Sequence, residues 1–128
     1  MQRKTFLLVC LGLFGSLALW GHHSLNAEYD QAKPVTLNGT FTQLDWRNPH
    51  AWIYLTVKNA SGGTENWRCE LGSPNAMSRV GFSRDSIKEG EEIILDGLLA
   101  KKGENICSAR VVKSKDGKTL LSQSEQPR

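Results

Sequence analysis

The chain has 128 residues and a formal net charge of +3, with 39% hydrophobic and 23% charged residues. That gives room for one domain with a modest core and none for a second. The basic excess sits at the N-terminus: setting aside Arg3 and Lys4 leaves 14 basic residues against 13 acidic ones, so no clustered cationic face remains to neutralise phosphates, and nucleic acid is not an expected partner.

Arg3-Lys4 followed by the uncharged apolar run Phe6 to Trp20 has the layout of a secretory signal peptide, expected over residues 1–21. The run is short for a bilayer span, which takes about 20 apolar residues, so no stable span is expected after cleavage. Ser16 and Ala18 suit cleavage after Ala18; Gly21 offers a second site that makes His22 the first mature residue. Cys10 lies behind Val9 inside the apolar run and belongs to the discarded signal. The mature chain is expected in the periplasm or secreted.

Residues 22–34 show neither helical nor strand periodicity and read as an extended lead segment, with Pro34 at the entry to the first strand. From there to residue 121 the pattern is β. Val35, Leu37 and Phe41 share one parity while Leu44 and Trp46 share the other, which predicts a long strand bent near Gly39 or carrying a bulge. Asn48-Pro49 marks a turn. Ala51 to Lys58 alternates Trp52, Tyr54 and Thr56 against Ile53, Leu55 and Val57, so the aliphatic face is the expected core. Asn59 to Gly63 closes a hairpin, and Glu65 to Leu71 follows with Trp67, Cys69 and Leu71 on one parity. Ser73 as N-cap and Pro74 at the first helical position predict a short helix reaching Val80, stopped by Gly81. After turns at Ser83 to Ser86 and Lys88 to Gly90, strands are expected over Glu92–Ala100, Asn105–Lys113 and Lys118–Leu121, ahead of a disordered tail over residues 122–128.

Three strands, a short helix and two further strands make the element order of an oligonucleotide/oligosaccharide-binding (OB) barrel. The expected fold is therefore mainly β, an OB-like barrel of five to six strands with the helix between strands three and four. In that topology strands three and five are neighbours, which makes Cys69 and Cys107 a disulfide candidate in an oxidising compartment; the alternative is two buried free thiols.

Chemistry-bearing residues fall into three groups. Histidines cluster at His22-His23 and at His50. With cleavage after Gly21, the terminal amine and ring of His22 plus a nitrogen of His23 or His50 would form a T-shaped set suited to copper(II). A first residue of Trp20 or Gly21 would instead give an amino-terminal site using backbone amides. The bland alternative is a solvated lead segment, with His50 packed at the barrel rim beside Trp46 or Trp52. Asp30, Asp45 and Glu70 are the candidate carboxylates for orienting such ligands.

The second group, Trp46, Trp52, Tyr54 and Trp67, lies on the first three strands, where rings can stack on a ligand or plug the barrel. The third is the helix start at Ser73-Pro74-Asn75, an anion-binding or simply capping element with Arg79 and Arg84 nearby in sequence. No nucleophile elbow, phosphate loop or metalloprotease helix is present, so no catalytic residue is assigned.

The segments His22-His23-Ser24, Lys33 to Leu37, Trp46 with Asn48-Pro49-His50-Ala51-Trp52, and Glu70 to Asn75 together resemble the domain of unknown function family 6152. The resemblance runs from His22 to about Leu121 and implies a small exported bacterial protein with an OB-like barrel. It implies signature positions at His22, His23, Asn48, Pro49, His50, Trp52, Gly72, Ser73, Pro74 and Asn75, with no attached activity; Cys69 and Cys107 are not among them.

The expected function is a non-enzymatic binding or interaction module for a small molecule or an envelope protein. Its candidate ligand residues are Trp46, Asn48, His50, Trp52, Tyr54, Trp67, Ser73 and Asn75. The alternative is copper(II) binding or delivery through His22, His23 and His50.

Overall fold

The computed structural model describes residues 25–123. A single helical turn, α1 (Leu25–Glu28), leads into β1 (Tyr29–Asp45), followed by β2 (Trp52–Lys58), β3 (Thr64–Glu70), α2 (Pro74–Arg79), β4 (Glu92–Ala100), β5 (Ile106–Ser114) and β6 (Thr119–Ser122). The strands run in the order β3-β2-β1-β4-β5-β6, and β3 also pairs with β5, which closes five of them into a ring. All pairings are antiparallel except β3 with β5, which is parallel. Among the described residues no helix is long and apolar enough to cross a membrane.

β1 serves two partners, pairing with β4 from Tyr29 to Thr40 and with β2 from Gly39 to Asp45. The handover needs a close approach at Gly39, where a Cβ would stand 2.7 Å from the Thr56 carbonyl oxygen. A register shift between Phe41 and Gln43 then moves the inward parity from Leu37 and Phe41 to Leu44, the bulge that the parity switch in the sequence anticipates.

The core lies inside the ring. Ile53 and Leu55 of β2, Ile93 and Leu95 of β4 and Val112 of β5 are almost fully buried, and Met77, Phe82 and Ile87 from α2 and the following loop close one end. Cys69 and Cys107 stand opposite each other in the parallel β3–β5 pairing, wholly buried, with their sulfurs at disulfide distance, 2.06 Å.

Two sequence-based boundaries shift. The lead segment expected to end at Pro34 is already paired from Tyr29, because β4 offers a partner edge that overrides the polar, unpatterned sequence. The tail expected from Ser122 begins later: Ser122 pairs with Val111, and Gln123 hydrogen bonds on both sides. Its backbone N–H donates to the Arg110 carbonyl (2.7 Å), its Nε2 donates to the Ala109 carbonyl (2.8 Å), and its Oε1 accepts the Gly72 N–H (2.7 Å). Gln123 thus fastens the loop after β3 to β5. The expected signal peptide and residues 124–128 lie outside the described residues.

Candidate functional site

Along β2 the side chains of Ile53 and Leu55 enter the core, so Trp52, Tyr54 and Thr56 stand on the outer face. Cross-strand register places Glu70 opposite Trp52, Arg68 opposite Tyr54 and Asn66 opposite Thr56, on that same face. The Arg68 guanidinium lies 5.2 Å from the centre of the Trp52 ring, a cation–π contact, and the Thr56 hydroxyl donates to Asn66 at 3.3 Å. The outer face of β2–β3 is therefore a mixed aromatic and polar strip.

At the end of this strip Glu70 is unusual for an outward-pointing carboxylate, being only 7% exposed. Burying a carboxylate is costly unless its oxygens are satisfied, and both are: Oε2 accepts the Tyr29 hydroxyl and Oε1 faces Nδ1 of His50. Tyr29 is itself buried but does not join the core cluster; it lies at the start of β1, paired with Ala100 of β4. His50 enters from the β1–β2 turn, directly after the cis Asn48–Pro49 bond. Reciprocal bonds fix the next residue: the Ala51 N–H donates to the Gly72 carbonyl (2.9 Å) and the Leu71 N–H donates to the Ala51 carbonyl (2.8 Å).

The chemistry of the trio follows from these contacts. Burial pushes the Tyr29 phenol well above its ordinary range, the hydrogen bond to Glu70 and the charges of Glu70 and Glu28 push the same way, and Arg68 only partly opposes them. Tyr29 therefore stays protonated as a donor. With Glu70 on Nδ1, Nε2 of the half-exposed His50 ring makes no hydrogen bond among the described residues. A neutral imidazole held this way carries its proton on Nδ1 and a lone pair on Nε2.

The remaining expected residues are placed as follows. Trp46 and Trp67 are partly buried and pack against the core, Trp46 with its ring centre 6.3 Å from that of Phe82 and Trp67 donating its Nε1–H to Glu65 at 3.3 Å. Of the four aromatic candidates, Trp52 and Tyr54 are left on the outer face. Asn48 is exposed in the turn and Asn75 is exposed on α2. The Ser73 hydroxyl accepts the Ala76 N–H at 3.2 Å, an N-cap, and Arg84 turns to the Trp46 carbonyl at 3.2 Å. Of the carboxylates, Asp30 pairs with Lys33 and Asp45 with Arg47, whereas Glu70 is the one that reaches a histidine. His22 and His23 lie outside the described residues, and among the described ones no three His, Cys, Asp or Glu side chains gather as a metal site. A surface depression of about 530 Å³ lined by Glu91, Glu92, Ser114, Lys115 and Asp116 shares no residue with this site.

Sequence reasoning missed Tyr29 and Arg68. The available signal was an aromatic residue set in an otherwise polar lead, and a cation two residues ahead of Glu70 on a strand whose partner bears Trp52 and Tyr54.

A family model described as a family of unknown function, DUF6152, matches residues 10–117. The chain belongs to DUF6152. No curated protein and no solved structure matches it. Within this DUF6152 chain, the segment Asn48 to Trp52 and the segment from Glu70 are joined by the His50–Glu70 contact, the backbone bonds of Ala51 to Leu71 and Gly72, and the Trp52–Glu70 pairing.

Proposed function

We propose that this DUF6152 protein is an exported binding module of the OB type, acting in the periplasm or outside the cell, with the outer face of β2–β3 as its ligand surface. The observation that carries the reading is the strip of Trp52, Tyr54 and Arg68 ending at the braced His50. A rigid, half-exposed aromatic flanked by a cation and an imidazole suits a small molecule with a flat or ring-shaped apolar part and polar or anionic groups. The ring order β1-β2-β3-β5-β4 with a parallel β3–β5 closure supports the OB assignment, and in such barrels the second and third strands form the usual binding face. Export rests on the basic and apolar N-terminal pattern of residues 1–21.

A binder fits better than a hydrolase with a His–Glu pair, because among the described residues no hydroxyl or thiol bonds His50 and both cysteines are used in the disulfide. The test is amide-shift mapping of the untagged, exported chain against a panel of mono- and oligosaccharides and aromatic acids. Shifts clustered on β2–β3 and abolished by Trp52→Ala support the reading. Hits that map elsewhere, or that survive Trp52→Ala unchanged in a folded protein, remove this surface.

A further inference from the structure

Around Trp52, the outer face of β2–β3 leaves three polar groups with no hydrogen bond or ion pair among the described residues: the Arg68 guanidinium, the Tyr54 hydroxyl and Nε2 of His50. We infer that the ligand of this surface is a hydroxylated ring compound bearing one carboxylate, with Arg68 as the residue that selects the acid. The inference rests on the reading above and narrows it, from a ring with polar groups to a ring acid.

The first support is the charge balance of the face. Glu70 has both oxygens occupied, by the Tyr29 hydroxyl and by Nδ1 of His50. Asp45, opposite Trp52 on β1, is paired with Arg47. Lys58, the other cation on this face of β2, stands at the far end of the strand opposite Thr64. Arg68 is thus the cation beside the aromatic rings, and no carboxylate among the described residues pairs with it. A ligand anion would complete it through charge-assisted hydrogen bonds.

The second support is pre-organisation. An exposed arginine gives up much rotamer freedom when it binds, unless something already holds its head. Here the guanidinium lies over the Trp52 ring, 5.2 Å from its centre. The N–H groups lie in the plane of the guanidinium, so contact through its face leaves them free for the two parallel bonds that match a carboxylate. Trp52 thereby serves as the platform of Arg68. Glu70 stands two residues further along the same strand, so a second negative charge on the ligand would be repelled, which favours a carboxylate over a dianionic phosphate.

The third support is the flank. The bonds of Ala51 to Gly72 and Leu71 carry the β2–β3 ladder one step past Trp52, so His50, Trp52 and Tyr54 follow one another along one face at intervals of about 7 Å. In its neutral form Nε2 of His50 is an acceptor and calls for a donor, which a ligand hydroxyl supplies; the Tyr54 hydroxyl can give or accept.

The experiment uses the full chain, expressed untagged, titrated with D-glucuronate and para-hydroxybenzoate, each against its neutral counterpart, D-glucose and para-hydroxybenzamide. Calorimetry reads affinity and amide shifts read location. At least one acid should map to β2–β3 and bind at least about tenfold more tightly than its counterpart, with the preference shrinking at high salt. The pair that shows the preference tells a sugar acid from an aromatic acid. Arg68→Gln should bring acid and counterpart to within about threefold, and Arg68→Lys, which keeps the charge and loses the fork, should restore part of the difference. Thermal melts establish that both variants are folded. Equal affinity for acid and counterpart, a preference that survives in folded Arg68→Gln, or no binding of either acid would overturn the inference. The two readings fail separately: neutral compounds that bind on β2–β3 and are lost in Trp52→Ala leave the surface standing without the acid, whereas acids that bind elsewhere remove both.

Discussion

Breaking the Cys69–Cys107 link tests how much of this small fold depends on one covalent bond. The two positions are 38 residues apart in sequence and directly paired across β3 and β5. In the chain-entropy treatment a loop of that size removes about 13 cal/mol/K from the unfolded chain, or about 4 kcal/mol at 25 °C. A domain of this size has on the order of 5–15 kcal/mol in all, so the link accounts for a quarter or more of it. The assay is urea denaturation of oxidised protein, reduced protein and Cys69→Ala/Cys107→Ala. With slopes of about 1–3 kcal/mol per molar urea, the midpoint should fall by about 1.3–4 M on reduction. The double alanine variant should fall further, since both sulfurs fill fully buried volume. The slope should also rise once the unfolded chain is free to expand. A midpoint within about 0.3 M of the oxidised value, with an unchanged slope, would refute the reasoning and place the stability in the sheet alone.

Tyr29→Phe tests the alkaline limb. Burial and Glu70 hold the phenol protonated in the folded chain, while the unfolded phenol ionises near its ordinary pKa of about 10, so above that pH the unfolded state holds fewer protons and folding stability falls. The wild type should lose up to about 1.4 kcal/mol per pH unit there, and denaturation at pH 9 to 11.5 should show the slope flattened in Tyr29→Phe; equal slopes sink the assignment. Gly97→Ala would put a Cβ 2.2 Å from the Ser108 carbonyl oxygen, a backbone atom of β5, and should cost about 1–3 kcal/mol or more in the same urea assay. Ser73→Ala removes the cap of α2 and should cost about 1 kcal/mol without disturbing the sheet, which calorimetry and amide spectra will show.

Much of the β framework was legible in the sequence because its signals are local. Alternation marked β2, the parity switch around Phe41 marked the bulge, and the limits read for β4, Glu92 to Ala100, are those observed. The Ser73-Pro74 start and the Gly81 stop framed α2 for the same reason. The start of β1 was illegible because Asp30 to Lys33 carries no pattern, and that stretch is ordered by an edge supplied by β4 far along the chain. Glu70 was visible only as one carboxylate among three. Its burial is created by Tyr29, 41 residues away, so no window around Glu70 contains the cause. The same holds for Gln123, whose polar surroundings read as tail until Gly72 and Ala109 supply partners.

The cost of Glu70 bears on what the site is for. If the only requirement there were to join β1 to β3, an apolar pair, phenylalanine in place of Tyr29 against an apolar residue in place of Glu70, would serve as well, since replacing both partners of a buried polar contact by packed apolar groups is often neutral or stabilising. An apolar residue lacks an acceptor aimed at Nδ1 of His50. The carboxylate supplies that acceptor, and with it a fixed ring whose Nε2 points away from Glu70. Tyr29, held neutral by its surroundings, satisfies the second oxygen without adding a charge. Three segments that meet only in the folded chain, the start of β1, the turn ahead of β2 and the end of β3, thus converge on the direction in which one nitrogen points. Orientation of a ligand accounts for that arrangement more economically than stability does.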